Sequence, residues 1–334
     1  MTTTLAEIAQ LAGVSTPTVS KVLNGRPGVS DTTRDLVGAL LEEHGYRRRG
    51  TQHRTGGGLL DLVIADLSSA WAQRIMVGAE QEATRAGYGL VVTSTHRRRA
   101  GNTQWIRNLA QRRSDGVVLV VSDLLPAAER KLERLKLPYV LVDSVGSTPP
   151  DVPTVAATNW AGGLSATEHL LELGHRRIGI ITGPERLACS RDRLDGYRAA
   201  LQRAGIAPDP ELVRHGDFHV PGGRHGAADL LSLDDPPTAI FAGSDHQAHG
   251  VYDVARARGL RIPRDLSVVG FDDVDLCRWI SPSLTTVHQP LAEMAREATR
   301  LVVGLAEGGE GRRRRVELST ELVVRDSTAP PARR

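Results

Sequence analysis

The stretch TLAEIAQLAGVSTPTVSKVLN, Thr4 to Asn24, decides how the N-terminal part of this chain folds. Thr4 can cap a helix, with Glu7 three residues on completing a capping box. Leu5, Ile8, Ala9 and Ala12 then fall on one helical face. Gly13 supplies a turn, because positive φ is cheap only for glycine. Ser15 caps a second helix and Pro17 sits in its first turn, where a missing N–H costs little. Val19, Val22 and Leu23 face inward, and Thr16, Thr18 and Lys21 face outward. Asn24-Gly25 ends the helix.

Working outward, Ser30 caps a third helix over residues 31–44, with Leu36, Val37, Leu40 and Leu41 as its packing face. Gly45-Tyr46 stops it. Three such helices share a small core, so residues 1–46 read as a helix-turn-helix head whose second helix fits a DNA major groove. The alternative is a helical hairpin with a structural role only. Residues 1–58 carry seven basic side chains against five acidic ones, while the whole chain has a net charge of +3. A basic head on a near-neutral body suits nucleic-acid binding through the head alone. Residues 47–58 form a basic hinge.

From Leu59 the pattern changes. Apolar runs at 59–67, 89–93, 116–121 and 139–142 alternate with helical stretches at 72–86, 102–112 and 127–135. The rhythm restarts with strands at 177–182, 212–215, 239–242 and 267–271, and helices at 191–204, 223–231 and 247–258. Alternating strand and helix imply doubly wound parallel sheets. Residues 59–326 therefore read as an α/β core of two successive lobes, followed by a flexible proline-rich tail, 327–334. A cleft between lobes is the natural ligand site, beyond the carboxyl ends of the strands.

Several chemistries are excluded. No dinucleotide or P-loop glycine pattern follows a strand, and no nucleophile elbow or metalloprotease helix occurs. His246 and His249 lack an acidic or cysteine partner in the sequence, so no metal is expected. The two cysteines, Cys189 and Cys277, give no disulfide framework and read as buried thiols in a reducing compartment. No signal peptide is seen and no apolar run reaches the ~20 residues of a membrane span. A cytoplasmic protein is expected.

The head, LAEIAQLAGVSTPTVSKVLNG followed by VSDTTRDLVGALLEEHGY, resembles the lactose-repressor (LacI/GalR) family. The blocks DGVVLV, LGHRRIGIITGP, RDRLDGYRAAL, TAIFAGSD, RIPRDLSVVGFDD and SPSLTTVHQPLAEMA extend the resemblance over almost the whole chain. It implies a transcription regulator with a core similar to periplasmic sugar-binding proteins. Such a regulator binds pseudo-palindromic double-stranded operators as a homodimer, and a small effector alters its operator affinity. Thr16, Pro17 and Lys21 match the recognition-helix positions that face base edges, with Thr18 beside them. Lys21 can donate to guanine O6 or N7. Thr4, Ser15, Ser20 and Asn24 are candidates for phosphate contacts, which position without specifying. Capping or solvent exposure remains the alternative for each.

The segment RRRGTQHRTGGG, Arg47 to Gly58, departs from the family. Family members carry an Ala-rich hinge helix with a leucine that wedges into the minor groove. Here that position is Thr55, and glycines disfavour helix by about 1 kcal/mol each against alanine. Arg47, Arg48, Arg49 and Arg54 are expected to track phosphates or enter a narrow minor groove instead. A disordered basic linker is the alternative.

For the effector, three tryptophans fall near strand ends: Trp71, Trp160 and Trp279. Trp105 lies on a helix and reads as packing. Trp71 and Trp160 are candidate stacking faces for a mono- or oligosaccharide. By the resemblance, Arg193 forks onto effector hydroxyls and Asp272 accepts from them. Ser244 and Asp143, each closing a strand, complete the candidate set. Capping or interlobe bonding is the alternative for the aspartates, above all Asp245 and Asp273. No cofactor beyond this small molecule is expected. A nucleoside or other metabolite is an alternative effector. Other classes are a ligand-binding protein without regulated DNA binding and an enzyme, which no nucleophile–base pair supports. No leucine heptad follows the last strand, so a dimer rather than a tetramer is expected.

Overall fold

The computed structural model describes residues 5–23, 28–44, 58–95, 104–120, 126–143, 152–309 and 314–332. They divide into two units, Met1–His53 and Arg54–Arg334.

In the first unit, α1 (Leu5–Leu11), α2 (Thr16–Leu23) and α3 (Asp31–Glu43) close on Ile8, Ala9, Ala12, Val19, Val37 and Leu41. Gly13 has φ 64° in the turn between α1 and α2. Ser15 Oγ accepts from Thr18 N at 3.3 Å, and Ser30 Oγ accepts from Thr33 N at 3.3 Å. Both caps satisfy N–H groups that a helix start leaves unpaired. Leu36 is a correction, since it is 50% exposed. At ~100° per residue it stands at the flank of the stripe centred on Val37 and Leu41.

The second unit has two lobes of the same plan. The chain runs β1 (Leu59–Ile64), α4 (Ala70–Arg85), β2 (Gly89–Ser94), α5 (Gln104–Arg112), β3 (Gly116–Val120), α6 (Pro126–Arg134), β4 (Tyr139–Val142) and β5 (Thr154–Ala157). It continues with α7 (Asn159–Glu172), β6 (Ile178–Thr182), α8 (Ala188–Arg203), β7 (Val213–His215), α9 (Val220–Leu230), β8 (Ala239–Ala242), α10 (Asp245–Ala257), β9 (Ser267–Asp272), α11 (Leu276–Trp279) and β10 (Thr285–His288). It closes with α12 (Leu291–Ala306), β11 (Arg315–Leu318) and β12 (Glu321–Val323). The sheet orders are β11-β5-β4-β3-β1-β2 and β12-β10-β9-β8-β6-β7. Every pairing is parallel except β10 with β12.

Both faces of each sheet are covered, which is why the strands read as unbroken apolar runs. In the first lobe Leu60, Leu62 and Ile64 meet α4 and α12, while Val63 on the other face meets α5 and α6. In the second, Ile178 and Ile180 meet α7 and α8, while Ile181 meets α9 and α10.

Two expectations are corrected. The lobes are not successive segments, because α12 and β11 return to the first lobe. The chain therefore crosses between lobes before Asn159, after His288 and after Leu318. The tail from residue 327 is pinned rather than flexible over its first residues. Ser327 is fully buried; its Oγ donates to Val268 O at 2.6 Å and accepts from Thr285 N at 2.8 Å. Ala329 O accepts from the His175 ring at 2.9 Å. The polar residues that made the tail look mobile supply bonds that lace it along β9.

Candidate DNA-reading face and effector cleft

In the head, Ser15, Thr16, Pro17 and Lys21 are exposed along α2, and Thr18 and Ser20 are half-buried. Ser15 and Thr18 hydroxyls also bond each other at 2.8 Å, so Ser15 is engaged as a cap. Thr4, Asn24, Arg47, Arg48, Arg49 and Arg54 lie outside the described residues.

In the core, the candidates gather around Arg193, which α8 carries inward at 4% exposure. Its Nε donates to Asn159 Oδ1 at 2.9 Å, Nη1 to Gly243 O at 2.5 Å and Nη2 to Gln289 Oε1 at 3.2 Å. The guanidinium lies 3.6 Å from the Phe271 ring centroid and 5.4 Å from that of Phe218. The two amides that receive Arg193 pass the interaction on. Asn159 donates to Asp143 Oδ1 at 3.4 Å and Gln289 to Asp143 Oδ2 at 3.1 Å. Asp143 closes β4 of the first lobe, and Arg193 belongs to the second. Asn159 and Gln289 sit at two of the crossings, so the ring spans both lobes.

Asp272, last residue of β9, is 5% exposed and stands 3.9 Å from Arg193 Nη2. Among the described residues its carboxylate accepts no hydrogen bond. Burial holds it well above the usual carboxylate range, against the pull of Arg193, with Asp245 and Asp143 adding to the rise. Burial raises Asp143 too, opposed by Arg193 and the Gln289 and Asn159 amides. Cys189, one helical turn before Arg193, is pushed up to about 12 by burial and by the Asp143 charge, so its thiol stays neutral.

Arg193, Asp143 and Asp272 thus come together as the sequence suggests. Only part of the Arg193 donor fork remains for a ligand, because each nitrogen already has a protein acceptor. Ser244 is nearby but engaged: it caps α10 by accepting from Gln247 N at 3.1 Å and donates to Phe218 O at 3.0 Å. Trp71 packs on the first-lobe core. Trp160 is a correction. It is 42% exposed, with the Arg203 guanidinium 5.9 Å over its ring. Arg203 lies about 15 Å along α8 from Arg193, so this ring stands away from the Arg193 group.

Sequence reading missed Asn159, Gln289 and Phe218. The first two carry no motif. Phe218 follows β7 at φ 66°, and a search of strand-end aromatics beyond tryptophan finds it. Across the cleft, Arg74 pairs with Asp275 at 2.5 Å and His219 lies 4.0 Å from Asp66. Among the described residues no group of His, Cys, Asp and Glu could hold a metal ion, and no helix is long and apolar enough to cross a membrane.

The lacI-family model of bacterial regulatory proteins matches residues 4–49, and a periplasmic binding protein-like domain matches 167–328. The HTH-type transcriptional repressor CytR of Escherichia coli is 34% identical over 332 residues, spanning 97% of this chain and 96% of the repressor. The chain belongs to the LacI family. A solved transcriptional regulator, the CelR–cellobiose complex, superposes with a TM-score of 0.76 at 34% identity, over 97% of this chain and 99% of that one. The lac repressor dimer bound to operator and the anti-inducer ONPF superposes at 0.72 with 26% identity, over 98% and 100%. As a LacI-family member the protein is a DNA-binding transcriptional regulator, with a helix-turn-helix head and a two-lobed core.

Proposed function

We propose that the protein represses transcription as a homodimer on a two-fold operator, and that a small carbohydrate in the interlobe cleft alters its operator affinity. The observation that carries the effector reading is Asp272. Among the described residues its carboxylate has the Arg193 guanidinium 3.9 Å away but accepts no hydrogen bond, and effector hydroxyls would supply donors to it. Asp143, on the opposite lobe, gives a second acceptor, and Phe218 an apolar ring face. Cellobiose in the related regulator supports a sugar.

In the head, Lys21 is proposed to reach a base edge, with Thr16, Pro17 and Thr18 beside it. Thr4, Ser15, Ser20 and Asn24 are proposed to hold phosphates. Arg47, Arg48, Arg49 and Arg54 add electrostatic affinity that falls with salt.

The test is anisotropy of a labelled duplex from the promoter adjoining the protein's own gene, titrated with cellobiose and then other neutral sugars. A shift in affinity of roughly 5–150-fold is the expected size of such coupling. If no sugar moves the curve and a nucleoside does, the carbohydrate assignment falls and the cleft assignment stands.

A further inference from the structure

Five consecutive residues at the end of β9 divide their contacts between the two lobes. Asp272 faces Arg193 in the cleft. Asp273 is gripped by Arg325 at 2.5 Å and by His288 at 3.1 Å. Val274 is buried in the hydrophobic cluster of the first lobe, and Leu276 packs against the same cluster. Asp275 pairs with Arg74 of α4 at 2.5 Å. The segment belongs to the second lobe by sequence and seats itself in the first.

Its path needs an external hold. Asp272 and Asp273 have φ of 114° and 57°, a left-handed region that residues with a Cβ occupy only when their surroundings impose it. The next peptide is fixed from outside the segment. Val274 N–H donates to Asp245 Oδ2 at 2.9 Å. The other carboxylate oxygen, Asp245 Oδ1, accepts from the Thr286 hydroxyl of β10 at 2.5 Å. Asp245 is fully buried. The fit around it is close, since a Cβ at Gly270 would come within 2.4 Å of Oδ1. A glycine in mid-strand weakens a strand and often marks such an approach.

We propose that Asp245 is a positioning residue for the effector site. It ties α10 and β10 to the Val274 peptide, and so holds the bend that aims Asp272 into the cleft while Val274 and Leu276 close on the first lobe. Effector contact and lobe closure then share one anchor. The inference rests on the effector-cleft reading for its functional consequence, though not for its structural one.

Hydrogen–deuterium exchange of the full-length, ligand-free protein tests the structural part. Asp245→Asn preserves both contacts, because its carbonyl accepts from Val274 N–H and its amide donates to a Thr286 hydroxyl that turns from donor to acceptor. Asp245→Ala removes both. At a temperature where both variants are folded, protection of amides 273–277 should fall about tenfold or more in the alanine variant, the effect of losing one hydrogen bond to a charged group. The asparagine variant should stay within about threefold of the parent. Cellobiose affinity should follow the same order. A merely structural aspartate predicts a loss of protection spread evenly over the second lobe, or unchanged protection at 273–277, and either result overturns the proposal. If the alanine variant does not fold, Thr286→Val removes one contact isosterically and must show the same local loss at smaller size; an even loss overturns the proposal there too. Failure of cellobiose to bind the parent protein counts against the carbohydrate reading, and the exchange pattern decides the Asp245 proposal independently.

Discussion

Arg193 is buried with acceptors on every nitrogen and an aromatic ring beneath it, so its charge is compensated by the protein itself. Asp272 has that guanidinium 3.9 Å away but, among the described residues, no hydrogen-bond donor. On the proposed reading they have different parts: Arg193 orders Asn159, Gln289 and through them Asp143, while Asp272 is, among the described residues, the acceptor left open. Asp272→Asn should therefore weaken effector binding by about tenfold or more, as for the loss of a hydrogen bond to a charged group. It should at the same time stabilise the ligand-free protein at pH 7.5. A carboxyl whose folded pKa is raised contributes stability below its ordinary value of 3.8, which is lost as pH rises through the folded value. Calorimetric titration and a urea melt check the two signs; a variant that is weaker-binding but less stable would count against an uncompensated carboxylate. Arg193 and Asp272 were legible in the sequence because the family resemblance marks them. Asn159, Gln289 and Phe218 were not, because an amide or a phenylalanine acquires a role only from what the fold sets opposite it.

At the scale of elements, α7 and α8 touch through glycines. A Cβ at Gly163 would lie 2.3 Å from Arg193 O, and one at Gly196 2.2 Å from Trp160 O. Both meet backbone, which cannot swing aside. Gly163→Ala should push α8 outward at the residue that carries the guanidinium. The expected cost is about 1–3 kcal/mol, the usual size for overpacking, read as a lower urea midpoint with unchanged slope. Cellobiose affinity should drop with it. Most elements were legible from alternating apolar runs and amphipathic stretches. The tryptophan readings were less secure, since a loop position near a strand end does not say which side of the next helix a ring takes. Trp160 is the second residue of α7, and its ring stands with Arg203 instead of the cleft.

Across the whole core, the lobes are joined by three crossings and by Val274 and Leu276 in the first-lobe core, while the C-terminal segment is laced along β9 within the second lobe. That lacing centres on His175, 1% exposed, whose ring meets Thr238 at 2.8 Å, Ser267 at 3.1 Å and Ala329 O at 2.9 Å. Burial lowers its pKa below the ordinary 6.5, despite the Ala329 carbonyl. The native state thus resists a proton that the unfolded chain accepts. This contribution is complete above the ordinary value and is lost as pH falls through the lowered one. Between pH 7.5 and 5.5 the His175→Gln variant should lose less of its urea midpoint than the parent. An equal loss would place the acid sensitivity elsewhere. The buried aspartates act with the opposite sign, so the comparison between variants carries the test.

The sequence by itself determined the helix-turn-helix head, the basic segment behind it and the two α/β lobes. Caps, turns and apolar periodicity are local, and they act within a few residues of where they are written. Tertiary structure alone decided that α12 and β11 return to the first lobe, that the tail is pinned, and that Asp143, Arg193, Asp272 and two uncoded amides lie together. Those outcomes depend on which distant surfaces bury each other, and burial is a property of the folded pair, not of either segment.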